Sequence, residues 1–234
     1  MQVIRNIFPS LSLAYSTCED GDVFDRKDVT RLTEKIQRNF KHIIVPKLQH
    51  GSKEEVANIQ KNEPLCDAII LPTTGIMVAM RLADCLPIVL YDSEKHVASL
   101  IHGGWRSLLQ NIIPLTIQRM QIEFHIDPLN TYAWIGPSLR SCCNVVNPPI
   151  VQGYFSEWKQ YITSSSKGMM VDLQHAAIKH LLDNGLLRER IIDSELCTYH
   201  NEEFYSFRKQ NESSMISDRE KYSHFMVMMW MENT

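Results

Sequence analysis

Residues 76–91 read IMVAMRLADCLPIVLY and decide the fold. Two apolar runs within them, residues 76–82 and 88–91, have the length and the branched side chains of buried β-strands. Asp84 and Cys85 lie in the short joint between the two runs. A sheet built on these strands would therefore carry an acidic side chain and a thiol at one edge.

A third apolar run follows after a turn at residues 92–95, whose polar side chains favour tight backbone turning. This run covers residues 97–101, and His102 stands at its end, just before the glycines at positions 103 and 104. Rigid scaffolds often present functional side chains where a strand passes into a loop. His102 is therefore a candidate functional residue.

The rest of the chain alternates irregularly between helical and extended patterns, which predicts the α+β fold class rather than repeated βαβ units. The helix predicted over residues 105–120 contains Pro114, which should bend or interrupt it. Further predicted elements are a helix over residues 28–40, a strand over 131–135, a helix from a cap at Asp172 to Asn184, and a core strand over 225–231.

Composition narrows the class of protein. The chain has 234 residues, 44% of them hydrophobic, and fits one large domain over residues 1–234. Its net charge of −3, without a lysine and arginine cluster, argues against nucleic acid as a partner. We expect no membrane segment and no signal peptide, because no apolar run is long enough. The adjacent Cys142 and Cys143 would form only a strained disulfide, which favours a reducing, cytoplasmic location.

His50, Cys85 and His102 are candidate metal ligands, because imidazole nitrogen and thiolate sulfur suit a borderline-soft ion such as zinc. Three protein ligands leave a fourth position open, which is typical of a catalytic metal site. Spacing along the chain does not by itself bring the three together. The alternative is that Cys85 is a small core residue and that His102 only ends a strand.

Arg106 is a candidate anion-binding residue. It falls in the first turn of the predicted helix, where a cation opposes the helix dipole. Beside the exposed N–H groups of that turn, it would suit a phosphate or a carboxylate. The alternative is an arginine that is simply solvated.

The remaining cysteines and histidines offer weaker signals. Cys142 and Cys143 would point apart in an extended loop, so we expect them to pack beside the site rather than bind metal. His200 and the other histidines show no ligand spacing, and no His-x-His pair occurs, which makes copper a less favoured cofactor than zinc.

Several blocks together resemble the YfiH-type laccase-domain family. They are ADCLPIVL at residues 83–90, HGGWR at 102–106 and GPSLRSCC at 136–143, with QHG at 49–51 in place of the Gln-Val-His-Gly block. The Cys-Thr and Phe-Phe-Ser-Tyr-Arg blocks have counterparts at 197–198 and 204–208. The resemblance extends from about residue 12 to residue 231.

The resemblance implies mixed β-sheets flanked by helices in a single compact domain. It also implies a zinc ion held by His50, Cys85 and His102. Members are described as zinc-dependent purine nucleoside phosphorylases, which convert adenosine, inosine or guanosine and phosphate to the base and ribose 1-phosphate. Adenosine deaminase and methylthioadenosine phosphorylase activities are implied as well, so a purine nucleoside and phosphate are the expected small-molecule partners.

Cys85, His102 and Asp84 are the expected catalytic residues. Asp84 adjoins the thiolate and could orient a ligand histidine or accept a proton. The phosphate is expected on Arg106, with Arg208 second and Arg31 third. The chain departs from the family pattern at Asn144-Val145, at Thr30-Arg31, and after Arg208 at Ser213-Ser214 and residues 218–221, which leaves substrate preference open.

Two other classes of function remain open. In the first, Cys85 is the nucleophile and His102 the base of a metal-independent Cys-His hydrolase, which cleaves an amide in a cell-wall precursor. In the second, the chain is a binding protein that keeps the fold without turnover. Protein partners and oligomeric state do not follow from the sequence.

Overall fold

The computed structural model describes residues 1–38, 40–146, 156–213 and 222–232. The strands are β1 (Gln2–Phe8), β2 (Leu11–Tyr15), β3 (His42–Ile44), β4 (Glu54–Val56), β5 (Ala68–Leu71), β6 (Ile76–Leu82), β7 (Leu86–Asp92), β8 (Val97–Gly103), β9 (Thr131–Ile135), β10 (Val145–Val146), β11 (Ile162–Ser165), β12 (Gly168–Val171), β13 (Ile191–Asp193) and β14 (Phe225–Met231). The α-helices are α1 (Arg26–Ile36), α2 (Trp105–Leu109), α3 (Ile112–Phe124), α4 (Leu173–Asp183) and α5 (Phe207–Ser213).

Two mixed sheets carry the fold. The first has the strand order β1-β2-β14-β6-β3, and the second has the order β13-β9-β7-β8-β5-β4. A small third sheet has the order β10-β12-β11. Parallel pairs, such as β3 with β6, occur beside antiparallel pairs, such as β7 with β8. The predicted α+β class with mixed sheets flanked by helices is confirmed.

The two large sheets pack face to face. Alternate residues of β6, among them Val78 and Met80, share one buried apolar cluster with Val89 of β7 and Leu100 of β8. Strands buried on both faces need nearly continuous apolar sequence. Each fully buried side chain of this kind contributes roughly 1.5–3 kcal/mol. The inter-sheet layer therefore fixes how the ends of β6, β7 and β8 lie relative to one another.

Helices cover the outer faces of both sheets. The other face of β6 and β14, including Met77 and Trp230, packs on Val29 and Leu32 of α1. The outer face of the second sheet packs on α3 and α4 through a separate cluster. The layers are thus helix, sheet, sheet and helices. No helix among the described residues has the length and apolarity to span a bilayer.

The strands predicted at 76–82, 131–135 and 225–231 are confirmed at the same bounds. The helix capped by Asp172 is also confirmed, and the Asp172 side chain accepts a hydrogen bond from the His175 N–H at 2.8 Å. The helix predicted over residues 28–40 is shorter, because α1 ends at Ile36 with Gln37 in a left-handed conformation.

The long helix predicted over residues 105–120 is instead two helices. The break lies at Gln110 and Asn111, and Asn111 has a φ of 61°. Pro114 does not cause the break, because it falls in the first turn of α3, where a backbone N–H has no helical partner to lose. The result is a short α2 that carries Arg106 directly beyond the end of β8.

The joint between β6 and β7 is not a hairpin, because the two strands belong to different sheets. Asp84, at the centre of the joint, has a φ of 85°, which turns the chain from one sheet to the other. Cys85 follows at the point where the chain enters the second sheet. The thiol is therefore placed at the end of the inter-sheet layer.

A candidate metal centre at the end of the central strands

Three neighbouring strands bring the predicted ligands together. In the β7–β8 pair, His102 is opposite Pro87, so Cys85 lies just beyond the end of this ladder. On the other side of β8, the His102 N–H donates to the carbonyl of Asp67 at 2.7 Å, directly before β5. His102 follows Leu100 by two positions on β8, so it lies on the same face of the strand as Leu100, which faces the inter-sheet layer.

His50, Cys85 and His102 form a compact group. One potential ligand atom from each residue lies within 4.8 Å of the others. The two imidazole rings meet edge to face, with centroids 4.8 Å apart and an interplanar angle of 88°. His102 is buried, Cys85 is half-buried and His50 is exposed, so the group is reached from the protein surface.

Asp67 supports this group, and the sequence analysis missed it. Its carboxylate lies 2.8 Å from Nδ1 of His102, which directs Nε2 of that ring toward the thiol. The same carboxylate accepts the backbone N–H groups of His50 and Gly51, each at 2.9 Å. The buried Asp67 carboxylate thus orients the His102 ring and holds the loop that carries His50. Such outer contacts fix the tautomer and orientation of metal-binding histidines.

Gly104 leaves room for an ion between the donors. A Cβ at this position would lie 3.2 Å from Cε1 and 3.4 Å from Nε2 of His102, and 3.4 Å from Sγ of Cys85. A side chain there would therefore occupy the space at which the sulfur and the nitrogen converge. The donor set and this space both fit a metal ion.

The charges of the group are strongly coupled. Burial opposes ionisation of Cys85, but the imidazoles of His102 and His50 outweigh it and lower the pKa of the thiol. Burial likewise opposes the charge on His102, but Cys85 and Asp67 raise the pKa of that imidazole. The protein alone thus favours a thiolate, which is the form of cysteine that binds metals.

Asp84 does not orient a ligand histidine; that contact belongs to Asp67. The Asp84 carboxylate instead accepts from the Thr198 hydroxyl at 2.6 Å and from the Arg208 N–H at 2.7 Å. Burial raises the pKa of Asp84 despite these hydrogen bonds. Its contacts connect the Cys85 joint to the chain around Thr198 and Arg208, and its catalytic role stays a prediction.

The three predicted phosphate-binding arginines lie in different surroundings. Arg106 is exposed, and its guanidinium carbon lies 3.9 Å from the ring centroid of Trp105. Arg208 donates to the carbonyl of Cys143 at 3.0 Å. Arg31 donates to the carbonyls of Asp20 and Asp22 and pairs with Asp28, so its guanidinium holds the chain beside α1.

Arg106 is linked to the metal-binding group through its backbone carbonyl, and Arg208 is linked to the Cys85 joint through its backbone N–H. Gln110 donates through Nε2 to the carbonyl of Arg106 at 3.1 Å and to the carbonyl of His50 at 3.4 Å. One amide therefore joins the α2 turn to the loop of a candidate ligand. Phosphate binding by Arg106, by Arg208 in second place or by Arg31 in third stays a prediction.

Cys142 and Cys143 differ from the prediction that they point apart. Residues 141–143 form a turn, and the two sulfurs lie 3.6 Å from each other. Cys197 and His200 complete a second compact group around them. His200, for which no ligand spacing was recognised, lies with Nε2 3.3 Å from Sγ of Cys143.

The departures from the family pattern have separate outcomes. The side chain of Asn144 is buried and donates to the carbonyl of Val171 at 3.0 Å, so it joins β12 to the turn before β10. This contact is structural and does not reach the metal-binding group. Residues 218–221 lie outside the described residues.

We expect Asp67→Asn to weaken zinc binding by roughly tenfold to hundredfold, as is typical when an outer carboxylate partner is lost. Both oxygens of Asp67 accept backbone N–H groups, so an amide would turn its own NH2 toward one of these donors. Zinc affinity, measured by competition with a coloured chelator, tests this.

Asp92→Asn is the matched control. Asp92 is buried at the far end of β7 and accepts the N–H groups of Glu94 and Lys95, both at 2.9 Å. Its replacement should reduce stability but leave zinc affinity unchanged. A folded Asp67→Asn protein with wild-type zinc affinity would contradict the supporting role of Asp67.

Comparison with known proteins identifies a family model and several relatives that match this chain. The model described as multi-copper polyphenol oxidoreductase laccase matches residues 2–219. A purine nucleoside phosphorylase of Clostridium acetobutylicum is 24% identical over 214 residues, covering 87% of this chain and 88% of the relative. A purine nucleoside phosphorylase of Bacteroides thetaiotaomicron is 26% identical over 200 residues, covering 79% and 74%.

Solved structures show the same fold. YlmD from Geobacillus stearothermophilus superposes with a TM-score of 0.80 at 22% identity, covering 97% of this chain and 93% of that one. The YfiH protein of Bacillus licheniformis gives a TM-score of 0.78 at 16% identity, covering 97% and 98%. At such identities, the likeness extends to the arrangement of sheets and helices.

Proposed function

The chain belongs to the multi-copper polyphenol oxidoreductase laccase family, and from this premise we propose that it is a zinc-dependent purine nucleoside phosphorylase. Its reaction would take a purine nucleoside and phosphate to the free base and ribose 1-phosphate. Relatives that match most of the chain carry this enzyme name at 24–26% identity. The observation that carries the proposal is the convergence of His50, Cys85 and His102 on one space.

We propose zinc rather than copper for this group. Two imidazoles and one thiolate match the donors that zinc prefers, and three protein ligands are the number that catalytic zinc sites use. A multicopper oxidase needs several copper ions close together, whereas the described residues offer three donors at this point. When bound here, zinc would supply a Lewis acid that polarises an oxygen of the substrate.

The chain's own residues would do the remaining work. Arg106 would hold the phosphate through charge-assisted hydrogen bonds beside the metal-binding group. Asp67 would keep the His102 ring in the tautomer that presents Nε2 to the ion. Asp84 would accept a proton in the reaction, and burial raises the pKa of its carboxyl.

We extend the proposal to adenosine deamination and to phosphorolysis of methylthioadenosine. Both substrates share the purine and ribose of the main reaction, so one open site could accept them. All six cysteines are free thiols, which suits the cytoplasmic location that we propose.

Purified protein incubated with adenosine and phosphate tests the proposed function. Phosphorolysis of adenosine should release adenine and ribose 1-phosphate. Deamination of adenosine should give inosine, and phosphorolysis of that inosine should then release hypoxanthine. Omitting phosphate should stop release of both bases but not deamination. A zinc-loaded protein that produces neither base nor inosine would leave the Cys-His hydrolase and the binding protein as the alternatives.

We expect Arg106→Ala to raise the KM for phosphate by roughly tenfold to hundredfold, because loss of a charge-assisted contact costs about 1.5–3 kcal/mol. Zinc content should stay at the wild-type level, since Arg106 supplies no donor to the ion. Initial rates over a range of phosphate concentrations measure the effect.

Arg106→Lys is the control for this prediction. It keeps the positive charge but loses the planar guanidinium that lies against Trp105, so its phosphate KM should fall between those of wild type and Arg106→Ala. If Arg106→Ala has an unchanged phosphate KM, the arginine is a solvated surface residue.

A Cys-His hydrolase is the second candidate function, and one observation favours it. Asp67, His102 and Cys85 lie in a row in which the carboxylate orients the imidazole and the imidazole favours the thiolate. The same order of groups activates nucleophilic cysteines in hydrolases. Reactivity of the thiol in the presence and absence of metal separates the two functions.

A further inference from the structure

A second group of potential metal ligands is connected to Asp84 through Thr198 and Arg208. Its members are Cys142, Cys143, Cys197 and His200, and one potential ligand atom from each lies within 4.8 Å of all the others. Sγ of Cys142 lies 3.6 Å from Sγ of Cys143 and 3.9 Å from Sγ of Cys197. Nε2 of His200 lies 3.3 Å from Sγ of Cys143.

Three of the six separations in this group are close to the edges of a tetrahedron around zinc. At a zinc–sulfur distance of about 2.3 Å and a zinc–nitrogen distance of about 2.0 Å, two sulfurs are about 3.8 Å apart and a sulfur and a nitrogen about 3.5 Å apart. The sulfur–sulfur distances lie on either side of the first value. The Cys143–His200 distance is close to the second.

Backbone hydrogen bonds link the segment that ends in the Cys142–Cys143 turn to the segment that carries Cys197 and His200. The Ser138 N–H donates to the carbonyl of Leu196 at 3.2 Å, and the Thr198 N–H returns a hydrogen bond to the carbonyl of Ser138 at 3.0 Å. The Cys143 N–H donates to the carbonyl of Arg140 at 2.9 Å, which closes the turn that carries both adjacent cysteines. Backbone contacts therefore support the ligand geometry in both segments.

The backbone N–H groups of Arg140, Tyr199 and His200 lie beside the sulfur of Cys197. Cys142 and His200 are exposed, so an ion could enter from solvent. Cys197 and His200 have the Cys-x-x-His spacing with which a single turn can bring two ligands to one metal.

We propose that Cys142, Cys143, Cys197 and His200 form a second, structural site for zinc or a similarly thiophilic ion. Four protein ligands fill a tetrahedral zinc site completely and leave no open position for substrate. A bond between Cys142 and Cys143 would be strained because the residues are adjacent. Metal binding uses all four side chains, whereas a disulfide from Cys142 to Cys197 would leave the other two without a role.

The second ion would stabilise the surroundings of the first site. Arg208 donates to the carbonyl of Cys143, and its backbone N–H reaches Asp84, the neighbour of Cys85. Thr198, which follows Cys197, donates to the other oxygen of Asp84. An ion that fixes the Cys142 turn against the Cys197 loop would therefore hold Asp84 and Arg208 in place.

Metal stoichiometry in the full chain tests the proposal. After reduction under anaerobic conditions, dialysis against zinc and removal of free metal, wild type should hold about two zinc ions per chain. Cys85→Ser should keep the ion of the second site, and Cys142→Ser should keep the ion of the first. The double variant should hold neither.

Cys18→Ser is the matched control, because Cys18 is a free cysteine outside both groups, and it should keep both ions. A Cys85→Ser protein that is folded and free of zinc would overturn the second site without affecting the first. Equal zinc content in wild type and Cys142→Ser would also overturn it. So would a reduced protein that forms a Cys142–Cys197 disulfide on exposure to air while excess zinc is present.

Discussion

Cys85→Ser should lose the ion of the first site and with it nearly all phosphorolysis of adenosine. A serine hydroxyl stays protonated at neutral pH and is a poor ligand for zinc, so His50 and His102 alone would remain. The loss in zinc affinity should exceed the roughly tenfold to hundredfold loss that is typical when a residue that only supports a metal ligand, such as Asp67, is replaced. Elemental analysis for zinc and copper, together with the rate of adenine release, measures both effects.

Gly104→Ala provides a variant that keeps every ligand. Gly104 has φ −68° and ψ 155°, a conformation that alanine adopts without strain. The new methyl group would lie 3.2 Å from Cε1 of His102 and 3.4 Å from Sγ of Cys85. It should therefore lower zinc affinity and activity while the protein stays folded.

Gly51→Ala is the control, because its Cβ would lie at an ordinary 3.6 Å from the Asp67 carboxylate. It should keep zinc and activity near the wild-type values. Full phosphorolysis by a Cys85→Ser protein with an empty first site would refute a catalytic role for the metal. Copper in place of zinc, with the absorption of a copper–thiolate bond, would change the proposed cofactor.

The sequence predicts β6 and β14 correctly, because the apolar pattern of both strands agrees with their burial. Residues 76–82 and 225–231 are apolar at every position except Arg81, and both become strands covered on two faces. The three ligands were found because each is next to an apolar run or a glycine. Their approach within 4.8 Å depends on strand pairing, which local pattern does not encode.

Contacts between distant segments account for what the sequence analysis missed. Asp67 precedes a buried strand by one residue, but its partner His102 follows 35 positions later and faces it only through the β5–β8 pairing. The Cys142 turn meets Cys197 and His200 across more than 50 residues. The Cys-x-x-His spacing was an available signal, but the assumption of an extended loop at Cys142 concealed it.

The Asp84 joint shows a related limit. Two apolar runs separated by five residues are compatible with a hairpin, and the left-handed φ of Asp84 is not encoded in its identity. Packing decides the outcome. β6 and β7 lie in different sheets, and each strand is buried on both faces. This crossover is what places Cys85 beside His102 rather than at a solvent-exposed turn.

Alkylation of Cys85 should be slow in the zinc-loaded protein and fast after a chelator removes the ion. Coordination occupies the sulfur lone pair, whereas the free thiol beside His102 has a lowered pKa and is half-buried rather than enclosed. Activity should disappear on chelation and return with added zinc. Peptide mapping by mass spectrometry after iodoacetamide treatment follows Cys85 separately from the other five cysteines.

The hydrolase candidate makes the opposite prediction for the same experiment. A Cys85 nucleophile activated by His102 must be reactive in the working enzyme, so alkylation would be fast before chelation and would abolish activity. Removal of metal would leave that activity intact. Because the row of Asp67, His102 and Cys85 serves either chemistry, the order of events decides between them: protection by zinc and loss of activity on its removal assign the thiol to the metal.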